Sequence, residues 1–148
     1  MMDKVAREVE NDPLYDGIIH AQRTEAEANG PDAIAAACRT IGETLKVASI
    51  ICYTGSGASG MRVSRERPRQ PVIALTPIAR TGRRLAVTWG LHCVLTEDAK
   101  SYDDMVDRAC RIAKEEGFAH PGDRVIITAG VPLGTPGATN MLRIADIV

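Results

Sequence analysis

The stretch that decides the fold is Val47–Gly60, VASIICYTGSGASG. Its first seven residues form a near-continuous apolar run, which is typical of a strand buried on both faces of a sheet. The next seven, TGSGASG, combine glycines with hydroxyl side chains, and a short arginine-rich helix is predicted to follow as far as about Arg67. A buried strand that leads through a glycine loop into a helix indicates an α/β protein.

The same alternation continues on both sides of this stretch. Further helices are predicted at residues 31–45, 76–86 and 102–116. Further strands are predicted at residues 71–75, 91–95, 124–129 and 141–148. The connection before the last strand holds no helix, so that strand is predicted to be antiparallel and to form an exposed edge. The predicted fold is a three-layer α/β/α sandwich around a five-stranded mixed sheet.

The first 30 residues follow a different pattern. Residues 1–10 have apolar side chains at positions 2, 5 and 9, the period of an amphipathic helix. Residues 11–30 are predicted to be a connector with little regular structure, because they begin with Asn-Asp-Pro and lead into Asn-Gly-Pro. One helix and a connector cannot bury a core. We therefore predict two units, the trailing edge of something larger at 1–30 and a folded domain at 31–148.

Composition bounds the class of protein. The chain has 148 residues, of which 45% are hydrophobic and 25% charged, the mixture of an ordinary soluble domain. No apolar stretch is long enough to span a membrane, and the N-terminus lacks the apolar core of a signal peptide. Aromatic residues make up only 3%, which argues against stacking of nucleic-acid bases. We expect neither a membrane nor a nucleic acid as partner.

The four cysteines, Cys38, Cys52, Cys93 and Cys110, contain no CxxC pair. A zinc site is therefore not expected, and no other metal site is indicated. Free cysteine behaves as a small buried hydrophobe, so we predict four reduced core residues in a cytoplasmic protein.

Charge is distributed unevenly along the chain. The net charge is -1, yet residues 55–95 carry seven arginines and one glutamate, and the segments on either side are acidic. Such a basic segment could lie near an anion. It could equally be a solvated arginine face or pair with the acidic flanks, and the sequence leaves these alternatives open.

The loop after the first strand is the best candidate site, because ligands of open α/β sheets bind beyond the carboxyl ends of the strands. Hydroxyls, glycines and a helix N-terminus are the elements of a phosphate site. The candidate phosphate-binding residues are Thr54, Gly55, Ser56, Gly57, Ala58 and Ser59. The alternative is a plain tight turn with capping hydroxyls. No spacing of histidines, serines or carboxylates indicates catalysis, so no catalytic residue is predicted.

Residues 32–148 resemble the C-terminal domain of pyruvate kinase. The resemblance is carried by DAIAAACRTIGETLKVASI, TGSGASG, PVIALTP, RRLAVTWGLHCVLTED, GFAHPGDRVIITAG and, above all, GTPGATNMLRI. Residues 1–30 are similar to the last part of that enzyme's catalytic barrel, with MMDKVAREVE resembling a barrel helix. Met1 therefore looks like an internal position of a longer protein.

The resemblance implies a regulatory and oligomerisation domain with a five-stranded mixed sheet. It implies that a phosphorylated effector binds at the loop after the first strand. It also implies that the turn before the last strand, here Gly134, Thr135, Pro136 and Gly137, faces the same pocket. The parent enzyme transfers a phosphoryl group from phosphoenolpyruvate to ADP in glycolysis. Its magnesium, potassium and substrate ligands lie in the barrel, so this chain is expected to hold no cofactor and to be inactive alone.

Two departures from the family bear on the effector. Members activated by fructose 1,6-bisphosphate have a long loop after the third strand that supplies Trp and Arg to the second phosphate. Here that region is the short acidic TEDAKS, residues 96–101, and the turn GVPLGTPG lacks an arginine. A monophosphate, such as AMP, ribose 5-phosphate or glucose 6-phosphate, is therefore expected.

The resemblance further implies a homo-oligomer that pairs through the C-terminal strand. Two other functions remain open at this point. The chain could be a free-standing module that binds a phosphorylated metabolite for another protein, or a purely structural assembly domain whose loop binds nothing.

Overall fold

The structure, a computed structural model, describes residues 1–133 and 139–148. In these ranges the helices are α1 (Met2–Glu10), α2 (Tyr15–Gln22), α3 (Gly30–Leu45), α4 (Ala58–Arg65), α5 (Ala79–Leu85) and α6 (Tyr102–Glu115). The strands are β1 (Ser49–Tyr53), β2 (Val72–Thr76), β3 (Leu91–Leu95), β4 (Arg124–Ala129) and β5 (Met141–Asp146). None of the described helices is long and apolar enough to cross a membrane.

The strands form one sheet in the order β3-β2-β1-β4-β5. The central strand is β1, which pairs in parallel with β2 and with β4, so that Ile51 lies between Ile73 and Ile127. The last strand, β5, runs antiparallel to β4. The predicted five-stranded mixed sheet with an antiparallel last strand is confirmed.

Helices cover both faces of this sheet. Successive side chains of a strand point to opposite faces, and β1 places Ile51 in one apolar cluster and Ile50 and Cys52 in the other. The Ile51 cluster is closed by α6 through Met105, Ala109, Ile112 and Ala113. The opposite cluster is closed by α3 and α4 through Ala35, Cys38 and Val63. The predicted three-layer sandwich is therefore confirmed.

The prediction of little regular structure at 11–30 is wrong for eight residues, because α2 occupies Tyr15–Gln22. The Asp12-Pro13 pair starts this helix instead of interrupting the chain. The Asp12 carboxylate accepts the backbone N–H of Leu14 at 2.8 Å, and its carbonyl accepts the N–H of Tyr15 at 2.9 Å. Neither α1 nor α2 contains a buried residue.

The cysteine prediction is right about the oxidation state and half right about position. All four thiols are free, and Cys38 and Cys52 are buried. Cys93 and Cys110 are only partly buried, which corrects the expectation of four core residues. Cys93 belongs to β3, an edge strand whose faces are incompletely covered.

Candidate functional site

A cavity of about 690 Å³ opens at the carboxyl edge of the sheet, where β1, β2 and β4 end. The segment 54–60, named the hydroxyl loop below, supplies one wall and α5 supplies another. The lining residues are Tyr53, Thr54, Gly55, Ser56, Ala58, Ser59, Arg62, Leu75, Pro77, Ile78, Arg80, Thr81, Arg84, Asp98, Ala99, Ala129, Gly130, Leu133 and Thr139. Five of the six predicted phosphate-binding residues therefore line one cavity, and Gly57 does not.

Hydrogen bonds within the hydroxyl loop fix its shape. The backbone N–H of Gly57 donates to Oγ1 of the buried Thr54 at 2.8 Å, and the N–H of Ala58 donates to Oγ of Ser56 at 3.3 Å. Gly57 has a φ of +92°, which an L side chain rarely adopts. The loop is thus a tight turn whose N–H groups are capped by hydroxyls, which was the alternative to a phosphate site. The two interpretations do not exclude each other, because this turn also lines a cavity.

The first turn of α4 touches the segment before β5. The hydroxyls of Ser59 and Thr139 are hydrogen-bonded to each other across 80 positions of sequence. Leu133 and Thr139 both line the cavity. The predicted pocket turn, Gly134, Thr135, Pro136 and Gly137, lies between them and outside the described residues.

Two arginines that the sequence analysis did not single out also line the cavity. Arg80 and Arg84 lie four residues apart on α5. Arg84 donates from Nη2 to the carbonyl of Ser56 at 2.7 Å, and the hydroxyl of Thr81 donates to the carbonyl of Gly55 at 2.7 Å. A signal was available in the sequence, since α5 follows β2 directly at the carboxyl edge where ligands bind.

Most of the arginines after the hydroxyl loop have partners elsewhere. Arg62 lines the cavity but also binds the buried Asp32 from Nε at 3.0 Å, and Arg65 reaches the same carboxylate at 3.5 Å. Arg67 lies over the ring of Trp89, 4.2 Å from its centroid, and Arg69 pairs with Asp16. Arg62, Arg65 and Arg69 therefore pair with acidic residues of the segment before residue 55. Pairing of the basic segment with its acidic flanks was one of the alternatives that the sequence left open.

The remaining cavity wall is largely apolar and comprises Leu75, Pro77, Ile78, Ala99 and Leu133. Tyr53 also lines the cavity, and its hydroxyl donates to the carbonyl of Met105 at 2.8 Å. Burial raises the pKa of Tyr53 well above its usual value, so the hydroxyl stays protonated. The cavity lining therefore combines hydroxyls and guanidinium groups with hydrocarbon surface.

The charged groups of the lining are three arginines and Asp98, a net formal charge of +2, and one of these arginines, Arg62, is paired with Asp32 outside the lining. Residues 134–138 add no charge, because none of their side chains ionises. The described residues contain no cluster of three histidine, cysteine or acidic side chains that could hold a metal ion. An arrangement of this kind suits binding of an anion and does not assemble an acid–base pair.

The fold and the site together define a class of protein. It is a three-layer α/β domain with a cationic cavity at the carboxyl edge of its sheet. Within that class, residues 32–145 match the family model described as pyruvate kinase, alpha/beta domain. The chain belongs to this family.

Individual pyruvate kinases are similar in sequence to nearly the whole of this chain. It is 53% identical over 146 residues to pyruvate kinase of Methylorubrum extorquens, and 35% identical over 143 residues to pyruvate kinase of Clostridium acetobutylicum. A pyruvate kinase of Agrobacterium vitis is 33% identical over 146 residues. These matches cover 97–99% of this chain, which spans about 30% of the length of the relatives.

Proposed function

We propose that this chain is the regulatory and oligomerisation domain of a bacterial-type pyruvate kinase, and that a phosphorylated effector binds in the cavity. The parent reaction would transfer a phosphoryl group from phosphoenolpyruvate to ADP, as part of glycolysis in the cytoplasm. The observation that carries the proposal is that the hydroxyl loop and three arginines line the same cavity. Family membership supports the parent reaction.

The hydroxyl loop supplies the donors that a phosphate needs. The first N–H groups of a helix have no partner within the helix, and α4 begins at Ala58 in the cavity wall. The N–H of Ala58 already donates to Ser56, so the N–H of Ser59 is the next one of this turn that can meet a phosphate. The hydroxyls of Ser56 and Ser59 stand beside these N–H groups and can donate to phosphate oxygens. Thr54 acts indirectly, because its hydroxyl accepts the N–H of Gly57 and so holds the turn.

The charge of the cavity favours a monophosphate. A phosphate monoester carries about -1.5 to -2 at neutral pH. Arg80 and Arg84 can balance this charge, because Arg62 is already paired with Asp32. A second phosphate would need further cations, and the short segment 96–101 brings Asp98 to the cavity wall instead. The apolar wall can pack against the ribose, base or hexose of AMP, ribose 5-phosphate or glucose 6-phosphate.

We also propose that residues 1–30 belong to the part of the parent enzyme that joins this domain to its catalytic barrel. The helix α1 exposes Val5 and Val9, and the following residues expose Leu14 and Ile18. These apolar side chains would pack against the rest of the longer protein. The magnesium and potassium of the parent enzyme would bind in its catalytic barrel, and not in this chain.

Replacing Ser56 with aspartate tests the site. Ser56→Asp places a carboxylate where the phosphate would lie, so binding of AMP, ribose 5-phosphate and glucose 6-phosphate should be lost in calorimetry. Ser56→Asn introduces a side chain of nearly the same size as aspartate but without its charge. This variant should keep part of the affinity for the phosphates, so it separates the effect of charge from that of shape. Ser56 is exposed, so neither variant should shift the melting temperature measured without ligand by more than a degree or two. Unchanged binding by Ser56→Asp would move the site elsewhere.

The two other functions give different results in a ligand screen. A purely structural assembly domain would show no thermal shift with any of these phosphates or with fructose 1,6-bisphosphate. A clear preference for the bisphosphate would contradict the charge argument. A free-standing metabolite-binding module would bind the same ligands, and would be favoured if the coding sequence upstream of Met1 encodes no catalytic barrel.

A further inference from the structure

We propose that Arg80 is a specificity-determining residue of the cavity, whose guanidinium binds the phosphate of the ligand from the α5 side. This inference rests on the proposed function and adds a residue that neither the loop sequence nor the family resemblance indicates. Its consequence is selectivity: the site would prefer phosphate dianions to carboxylates and to uncharged sugars.

Arg80 differs from the other arginines of the cavity in having no partner within residues 1–133 and 139–148. Arg62 is paired with Asp32 at 3.0 Å, and Arg84 donates to the carbonyl of Ser56 at 2.7 Å. Among the residues that the structure describes, Arg80 has neither an ion-pair partner nor a hydrogen-bond acceptor, although it lines the cavity. Its charge is thus available to a bound anion without breaking an existing contact.

Contacts of the residues that follow Arg80 on α5 hold this helix against the hydroxyl loop. The next residue, Thr81, donates to the carbonyl of Gly55, and Arg84, one turn later, donates to the carbonyl of Ser56. Residues four apart on a helix lie on the same face. Arg80 and Arg84 therefore share the α5 face that meets the hydroxyl loop.

The chemistry of the guanidinium group accounts for the expected selectivity. Arginine stays charged at all physiological pH values and presents a planar fork of N–H donors that matches two phosphate oxygens. A phosphate monoester carries up to two charges, whereas a carboxylate carries one and a free sugar none. Without Arg80 the site would keep its hydroxyl and N–H donors but lose the one cavity arginine that has no hydrogen-bond or ion-pair partner among the described residues.

The α5 helix offers a matched control for this test. Arg83 is exposed on the same helix, three residues from Arg80, and does not line the cavity. Arg80→Gln and Arg83→Gln remove the same charge from the same helix. Calorimetry of the full chain with ribose 5-phosphate and with inorganic phosphate should show at least about tenfold weaker binding for Arg80→Gln. Arg83→Gln should stay within about twofold of the unchanged protein.

Further variants separate this inference from the proposed function. Arg80→Lys keeps the charge without the fork, so its affinity should fall between those of the unchanged protein and Arg80→Gln. If Ser56→Asp abolishes binding while Arg80→Gln and Arg83→Gln bind equally well, the role of Arg80 is overturned and the proposed function stands. If the unchanged chain binds none of the phosphate probes, both are overturned.

Discussion

Cys52 shows what complete burial does to one ionisable side chain. It lies on the central strand β1, with no exposed surface. Burial disfavours the thiolate and raises the pKa of Cys52 to about 11, from 9.0. Burial also raises the pKa of Cys38, the other cysteine in the same apolar cluster. At neutral pH both thiols are therefore protonated and unreactive toward thiol reagents.

The raised pKa predicts that alkaline pH destabilises the protein. The folded state holds the Cys52 proton more tightly than the unfolded chain, so this contribution to stability is complete below pH 9 and is lost as pH rises toward about 11. The limiting slope for one such group is about 1.4 kcal/mol per pH unit. Urea unfolding between pH 8 and 10.5 should show a shallower decline for Cys52→Ala than for the unchanged protein. Because Cys38 and Tyr53 titrate in both proteins, parallel declines would contradict the assignment to Cys52.

The residues of the site were only partly predictable from sequence. Thr54, Ser56 and Ser59 lie within six residues of one another in the chain. Recognising the loop after one buried strand was therefore enough to predict that they share a site. Arg84 meets Ser56 across 28 positions, and that contact depends on how α5 packs after β2. Side chains brought together by tertiary packing leave no spacing pattern in the sequence. The position of α5 directly after β2 places its residues at the carboxyl edge of the sheet, but it does not tell which of its arginines face the cavity.

The C-terminal strand is the element on which the proposed self-association depends. It pairs with β4 on one side only, so its other edge carries backbone donors and acceptors that have no partner in the described sheet. The N–H of Ile147 bonds to the carbonyl of Asp123. Since N–H groups alternate in direction along a strand, those of Leu142 and Ile144 point to the free edge.

Ile144→Pro should therefore weaken self-association without breaking the pairing of β5 with β4. Proline removes the outward N–H of Ile144 and introduces a ring at the free edge, where it is tolerated. We expect a dimer dissociation constant at least about tenfold higher by sedimentation equilibrium. Ile144→Ala is the matched control, because it keeps the N–H, and it should lie closer to the unchanged protein. Equal association of the proline variant and the unchanged chain would exclude this edge as the interface.

Elements of the sandwich were predictable because burial enforces their pattern. The apolar runs of β1, β2 and β4 indicate strands that are covered on both faces. The lack of a crossover helix before β5 indicates that this strand is antiparallel. The helix α2 was missed because its sequence lacks the amphipathic period that revealed α1, although neither helix buries a residue. Gly17 and the Asp12-Pro13 pair are also typical of loops.

At the scale of the whole molecule, polar contacts join the first 32 residues to the helix that carries the hydroxyl loop. Glu66, at the end of α4, binds Arg39 at 3.2 Å and Arg23 at 3.7 Å. In the middle of α4, Arg62 binds Asp32, which also accepts the backbone N–H of Glu27 at 3.1 Å. Residues of the connector and of the cavity wall are thus linked through α4.

The whole chain should nevertheless catalyse no phosphoryl transfer by itself. Phosphoryl transfer depends on metal ions and positioned cations around the transferred group, and the described residues hold no cluster able to ligate a metal. The chain also spans only about 30% of the pyruvate kinases that it matches. A coupled assay with phosphoenolpyruvate, ADP, magnesium and potassium should therefore give background rates, while a complete pyruvate kinase turns over in the same mixture. Activity that co-elutes with the chain through successive columns, in proportion to its concentration, would contradict its assignment as a regulatory domain.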